Sequence, residues 1–211
     1  MKKIAFIFSG RGTLLHYIQD QLKILHLKGF VSLVITNNPS AAKESLPIRS
    51  GCEFHYIDHK SYENREDHEN AIIHLIDRLQ IDLIVLGGYR RIFTSDFVDK
   101  YGYKTINTHP SLLPAFVGDK AQLMAIQRGV RITGATVHFI NNDVDCGPII
   151  TQVAVNIHPS YSEKDLKEAI IQQEKKALML AIRLFIEDKL IINGNLVRII
   201  SNNNSDLFVN F

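Results

Sequence analysis

Asn107 and His109 stand two residues apart at the head of Asn107-Thr108-His109-Pro110-Ser111-Leu112-Leu113-Pro114, at the end of a run that reads as a strand. Alternate side chains of a strand leave on the same side, and ligands of open α/β sheets bind beyond the carboxyl ends of the strands. An amide and an imidazole facing one way suit a reaction in which an oxyanion develops and a proton must move. The same His109-Pro110 pair also reads as a plain structural turn. A carboxylate able to orient such a histidine and favour its protonated form lies in Asp143-Val144-Asp145-Cys146-Gly147-Pro148. The alternative, an Asp-rich turn capping its own backbone, stays open because spacing cannot settle a long-range pairing.

Ser9-Gly10-Arg11-Gly12-Thr13 offers a different chemistry. Glycines there let backbone N–H groups point at an anion on a helix N-terminus, where the dipole also favours negative charge, and Thr13 adds a hydroxyl. No Gly-Lys-Ser/Thr follows, so this is not a Walker loop. Leu15 stands where a dinucleotide fingerprint needs its third glycine, and Thr36-Asn37 where it needs an acid. A tight turn without a ligand is the other reading. Further on, Glu174 falls in phase with an apolar stripe of Leu166, Ile170, Ala177, Ala181 and Leu184. A carboxylate on that face calls for a partner, such as a ligand hydroxyl or a basic group. A stripe centred on Ile171, Leu178 and Phe185 would instead leave Glu174 at its edge. His55 and His59 straddle a strand end and a loop, so their spacing carries no metal site and none is expected.

The elements that must position these residues alternate between apolar runs and amphipathic ones, the pattern of an α/β protein. Strands are predicted over 3–8, 30–36, 52–57, 83–86, 105–108, 135–140 and 149–155, and helices over 14–27, around 72–79, over 122–127 and from Ser162 to about 185. Ser162 and Asp165 form a capping-box-like pair at the start of that last helix. The 211 residues suit one α/β domain; no repeat or linker is visible, and a loose tail is expected after about 200. The net charge is +2 and Lys and Arg form no long basic run, which argues against a nucleic-acid groove or a membrane-surface helix. No apolar run approaches the roughly 18 residues of a membrane span. The opening apolar run, 4–8, is too short for a signal peptide. Two cysteines, Cys52 and Cys146, make neither a zinc spacing nor a disulfide framework, so a reducing cytoplasm is expected.

Taken together, these segments resemble the glycinamide ribonucleotide formyltransferase family of purine synthesis. The likeness runs with little gapping over about 3–185. Its most specific piece is Asn107-Thr108-His109-Pro110-Ser111-Leu112-Leu113-Pro114. Thr136-Val137-His138-Phe139 followed by Val144-Asp145-Cys146-Gly147-Pro148 resembles a second signature, and Leu86-Gly87-Gly88-Tyr89-Arg90-Arg91-Ile92-Phe93 resembles the segment lining the pterin pocket. The resemblance implies a Rossmann-like, open, twisted, mostly parallel sheet with helices on both faces. It implies attack by a substrate amine on the formyl carbon of 10-formyltetrahydrofolate, a co-substrate, with no metal. Asn107, His109 and Asp145 would form the catalytic trio, the first two stabilising the oxyanion and Asp145 holding His109. Gly10, Arg11, Gly12, Thr13 and Leu14 would surround the phosphate of the ribonucleotide, with Glu174 on its ribose hydroxyls. Arg65, Arg90, Arg91, Ile92, Phe93, Asn107, Asn141, Val144 and Asp145 would frame the folate. Small-molecule substrates, no nucleic acid, no membrane, and a monomer or homodimer are the implied partners.

The chain departs from the family in places. The family loop reads Gly-Asn-Gly-Ser-Asn-Leu, whereas this one reads Gly10-Arg11-Gly12-Thr13-Leu14-Leu15, with Leu14 in place of an Asn that supports phosphate binding. Arg90 takes a place often held by Met, and Asp119-Lys120-Ala121-Gln122 lacks the histidines many members carry. Rival readings keep the folate chemistry but change the acceptor to an amino sugar nucleotide or to water. The hydrolase is expected to carry an extra N-terminal domain and the methionyl-tRNA enzyme an extra C-terminal one. A non-catalytic folate- or nucleotide-binding module is the reading from another class; it would not need Asn107, His109 and Asp145 together.

Overall fold

The structure is a computed structural model that describes residues 1–43, 46 and 48–200, so the tail expected to be loose lies outside the described residues. The chain divides into two compact units, Met1–Asn107 and Thr108–Phe211.

The first unit is built on parallel strands. β1 (Lys2–Phe8) is followed by α1 (Thr13–Ile24), β2 (Gly29–Thr36), the short α2 (Pro39–Lys43), β3 (Glu53–Tyr56), α3 (Arg65–Leu79), β4 (Leu83–Leu86) and α4 (Ser95–Tyr101). β5 (Thr105–His109) pairs in parallel with β4 through Thr105, Ile106 and Asn107. The order is β3-β2-β1-β4-β5. Ile4, Ala5, Phe6, Ile7 and Phe8 are all fully buried, the continuous apolar run that a central parallel strand needs when both its faces are covered. Right-handed crossovers in opposite directions place α1 and α3 on opposite faces. Strand order reverses between β1 and β4, so the loops leaving those strands, Ser9-Gly10-Arg11-Gly12 and Gly87-Gly88-Tyr89-Arg90, open at the switch point where such sheets bind ligands. Gly87 sits there because a Cβ would lie 2.3 Å from the Phe6 ring.

The second unit holds α5 (Ala121–Gln127), β6 (Ile132–Phe139), β7 (Ile149–Asn156), α6 (Glu163–Ile186), β8 (Leu190–Asn193) and β9 (Leu196–Ile199). The order is β6-β7-β9-β8. β6 and β7 are antiparallel, as are β8 and β9, while β7 meets β9 in parallel. α6 packs on β6 and β7. Its start is the expected capping box: the Asp165 N–H donates to Ser162 Oγ at 3.3 Å and the Ser162 N–H returns to Asp165 Oδ2 at 2.9 Å. Leu166, Ile170, Ala177, Ala181 and Leu184 are all buried, whereas of the rival stripe only Leu178 is buried and Ile171 and Phe185 are half-buried, so the buried face follows the first stripe and takes in Leu178.

Three elements, α4, β8 and β9, escaped the sequence reading, and β6 was read short. α4 is capped by Thr94, whose hydroxyl accepts the Phe97 N–H at 3.4 Å, and Thr94-Ser95-Asp96 is the N-cap signal that announces it. The β8–β9 hairpin turns at Gly194 with φ 59, after Asn193; Asn-Gly between short apolar runs is a strong hairpin signal. β6 begins three residues earlier than predicted, running through Gly134, where a Cβ would lie 1.9 Å from the Val153 carbonyl oxygen.

Candidate active site

In the second unit, Asp145 is the centre of a buried polar group. It lies in the loop between β6 and β7 in the left-handed conformation, φ 55, and its side chain is 9% exposed. His109, the last residue of β5, places Nδ1 3.1 Å from Asp145 Oδ2. The Gly118 N–H donates to the same oxygen at 2.9 Å. The other carboxylate oxygen, Oδ1, faces His138 Nε2 at 3.8 Å. His109 Nε2 donates to the Phe116 carbonyl at 2.8 Å. The two ring nitrogens of His109 therefore face two different oxygens, Nδ1 that of Asp145 and Nε2 that of Phe116. Gly147 lets this loop turn under β6: a Cβ would lie 1.8 Å from the Phe139 carbonyl oxygen.

The segment after His109 is tied down by its own network. Thr136 Oγ1 donates to the Ser111 carbonyl at 2.7 Å and accepts the Leu113 N–H at 3.0 Å. Gln152 Nε2 donates to the Leu113 carbonyl at 2.9 Å. Ser111 Oγ donates to the Ala115 carbonyl, and the Leu113–Pro114 peptide bond is cis. Asn107, two residues before His109 on β5, is half-buried, between the fully buried Ile106 and the buried Thr108. Thr108 points its hydroxyl to Glu174 Oε1 and donates to it. Burial pushes the Glu174 carboxyl up from its ordinary range, against the opposing pulls of the Thr108 hydrogen bond, His109 and Lys175. Asn141 Nδ2 donates to the Cys146 carbonyl at 3.1 Å, which closes the loop, and Val144 is 45% exposed on it.

The first unit carries the remaining predicted residues. Gly12, φ 68, turns the chain into α1 without a side-chain cap; its carbonyl accepts the Leu15 N–H at 3.0 Å, and the Thr13 and Leu14 N–H groups have no acceptor within the helix. Gly10, Arg11 and Thr13 are exposed. Leu14 is buried in the core, so what it can offer a ligand is its backbone N–H and not its side chain. Ser9 joins this loop to the segment after β4: its hydroxyl accepts the Arg90 N–H at 2.9 Å, and its N–H donates to the Gly88 carbonyl at 3.3 Å.

That second segment is gripped at its other end from α3. Glu69, almost wholly buried, accepts the Thr94 N–H at 3.0 Å and the Thr94 hydroxyl. Arg65 lies 3.9 Å from Glu69 and donates to the Ile92 carbonyl at 3.5 Å. Phe93 stacks on Phe97 with centroids 3.8 Å apart, which leaves Ile92 turned out and 60% exposed. Arg90 is exposed and Arg91 half-buried. Glu69 and Thr94 in the first unit, and Thr108, Phe116, Thr136, His138 and Gln152 in the second, contact the predicted residues or their segments within their own unit without having been predicted to. For Glu69 a signal existed, since a lone acid fell in line with Ile72 and Ile76 on the buried face of α3.

His55 bonds Glu53 at 2.9 Å and His59 lies 3.8 Å from Asp58. Among the described residues no group of three or more His, Cys, Asp or Glu side chains is placed to hold a metal ion. No helix among them is long and apolar enough to cross a membrane.

The formyl transferase family profile matches residues 2–182. The human trifunctional purine biosynthetic protein adenosine-3 is 35% identical over 86% of the chain, which spans only 18% of that protein's length. Phosphoribosylglycinamide formyltransferase of Haemophilus influenzae is 34% identical, with 93% of this chain and 92% of that one covered. Formyltetrahydrofolate deformylase of the same organism is 36% identical over 78% of this chain and 58% of its own. The crystal structure of glycinamide ribonucleotide transformylase 1 from Symbiobacterium toebii superposes with a TM-score of 0.87 at 34% identity, covering 95% of each chain.

Proposed function

Because the chain belongs to the formyl transferase family, and within it to the phosphoribosylglycinamide formyltransferases, we propose that it moves a formyl group from 10-formyltetrahydrofolate to the amine of glycinamide ribonucleotide in purine biosynthesis. The observation that carries the chemistry is the buried His109–Asp145 pair, 3.1 Å apart, beside Asn107 on the same strand end.

Asn107 and His109 supply the donors for the oxygen of the formyl group as the amine adds to its carbon. For this, His109 Nε2–H exchanges the Phe116 carbonyl for that oxygen. Asp145 favours the charged imidazole and orients its ring, since its Oδ2 lies 3.1 Å from Nδ1. The attacking nitrogen gives up a proton, the bond from the formyl carbon to folate nitrogen breaks, and that nitrogen takes a proton, directly or through water. In the first unit, the N–H groups at the start of α1 with Arg11 and Thr13 suit a phosphate. Arg65 and the segment Arg90, Arg91, Ile92 and Phe93 suit an apolar ring system with a carboxylate tail, and Asn141 and Val144 do so in the second. Glu174, held by Thr108, suits a ribose hydroxyl. We further propose that the chain works as one formyltransferase domain, on the grounds that the family match runs across both units. Free Cys52 and Cys146 support a cytoplasmic setting. Small molecules are the proposed partners, with no nucleic acid and as monomer or homodimer.

The test is turnover of 10-formyltetrahydrofolate, followed by folate absorbance, with and without glycinamide ribonucleotide. Turnover that requires the ribonucleotide and is lost in His109→Ala supports the proposal. Equal turnover without ribonucleotide would assign hydrolysis instead.

A further inference from the structure

We propose that the second unit carries a binding site for a small apolar carboxylic acid, between α5 and the segment after His109, and that its occupant restrains His109 through Phe116. The site rests on its own lining; the restraint rests also on the functional reading above.

Met124, Gln127 and Arg128 stand three and four residues apart, so they share one face at the end of α5. Together with Phe116, Val117 and Val130 they line a cavity of about 730 Å³, a size that takes a small organic molecule. Its walls are apolar at Phe116, Val117, Met124 and Val130, and the Met124 thioether adapts to the shape of what it touches. The polar groups are the Gln127 amide and the Arg128 guanidinium, both on exposed residues. No Asp or Glu lines the cavity, and Arg128 makes no ion pair among the described residues. Apolar surface beside one uncompensated guanidinium selects a ligand whose apolar body ends in a carboxylate, since the flat fork of Arg donors matches that group. A neutral ligand leaves Arg128 without a partner, and a cationic one is repelled by it.

Phe116 belongs to the cavity and to the active site at once. It lines the first, and its carbonyl oxygen lies 2.8 Å from His109 Nε2. Its backbone is left-handed, φ 55, which a bulky residue adopts only where its surroundings impose it. The bond to His109 on one side and the bond from the Gly118 N–H to Asp145 at 2.9 Å on the other hold it there. When His109 turns from that carbonyl to the formyl oxygen, Phe116 is released and the cavity wall changes. An acid packed against Phe116 keeps the wall as it stands, and with it the carbonyl on His109. The ligand thus opposes the step that transfer requires, from residues outside those proposed for either substrate.

The test uses the full chain, with naphthoate as the acid and naphthamide as its neutral counterpart. Of the three methionines, Met124 alone lines the cavity, so 13C-methyl labelling of methionine gives a local probe. Naphthoate should shift the Met124 methyl in a saturable way and leave that of Met179, buried in α6, in place. Arg128→Gln should weaken naphthoate by roughly tenfold and leave naphthamide unchanged, a difference that plain adsorption on apolar surface does not produce. Val117→Asp, at a position 42% exposed, should weaken both. In turnover, naphthoate should lower kcat with both KM values unchanged, and Arg128→Gln should remove that inhibition. A Met124 methyl that stays in place, or that answers acid and amide equally in the wild type and in Arg128→Gln, would overturn the site. Full occupancy with undiminished kcat would overturn the restraint on His109. Absence of ribonucleotide-dependent turnover would count against the functional reading and leave the methyl spectra to decide the site.

Discussion

The two units treat polar side chains in opposite ways. In Met1–Asn107 many of the residues proposed to meet ligands are exposed, as with Arg11, Thr13, Arg65, Arg90 and Ile92, while Arg91 and Asn107 are half-buried; the backbone of these segments is fixed through Ser9, Glu69 and Thr94. In Thr108–Phe211 the residues proposed for chemistry, His109 and the side chain of Asp145, are themselves buried or nearly so. The contrast follows from the tasks. An anion or a ring can be held by outward N–H groups and flexible cations that keep their hydration until the ligand arrives. A proton-transfer pair needs low dielectric and fixed distance, so it must be taken out of water beforehand.

The largest effect should come from breaking the buried pair. His109→Ala or Asp145→Ala should lower kcat by about 10²–10⁴-fold, while equilibrium binding of folate, read by fluorescence, stays measurable. Comparable turnover in both variants and the wild type would mean that burial here serves packing alone.

Paired glycine variants test the contrast at the backbone. Gly147→Ala puts a Cβ against the Phe139 carbonyl, whereas at Gly10 a Cβ meets nothing within 4 Å. Urea unfolding should show Gly147→Ala less stable by about 1–3 kcal/mol, with activity lost as Asp145 shifts, and Gly10→Ala within about 0.5 kcal/mol of the wild type.

Glu69→Gln sharpens the first unit's side. It keeps the shape but weakens the grip on Thr94, so the KM for folate should rise by roughly tenfold with kcat and the ribonucleotide KM little changed. Parallel loss in all three would show a general folding defect.

Buried titrating groups give the second unit a pH signature. Glu174 is pushed up on folding, so its contribution to stability is complete below the unfolded value of about 4.3 and fades as pH rises through the folded value. Thermal unfolding of Glu174→Gln should lose that fall. His138, and His68 in the first unit, are pushed down by burial. The unfolded chain then binds more protons, and stability should drop as pH falls below about 6.5. Replacing either with Gln should flatten the curve on the acid side.

The smallest effect is expected at Ser162→Ala, which removes the capping box and should cost about 1 kcal/mol with catalysis unchanged, as measured by unfolding and turnover side by side.

Much of this was legible in the residues. Continuous apolar runs identified β1 and β4, and a period near four identified α3 and α6, because burial on two faces or on one stripe dictates those patterns locally. Asn107 and His109 were readable as a pair because two residues on a strand share a side. Short elements whose signals are turn residues and caps, α4 and the β8–β9 hairpin, were passed over because they bury little and so carry weak periodicity.

The sequence by itself determined the strand–helix order, the Gly-rich loop, the capped last helix and the residue types available for chemistry, since each depends on neighbours a few positions away. Only the tertiary structure decided that Asp145, 36 positions from His109, pairs with its ring, that Glu174 turns inward to Thr108, that Leu14 belongs to the core, and that a second imidazole faces the same carboxylate. Those contacts join segments whose separation in sequence carries no period, and their energetics depend on burial, which no local pattern encodes.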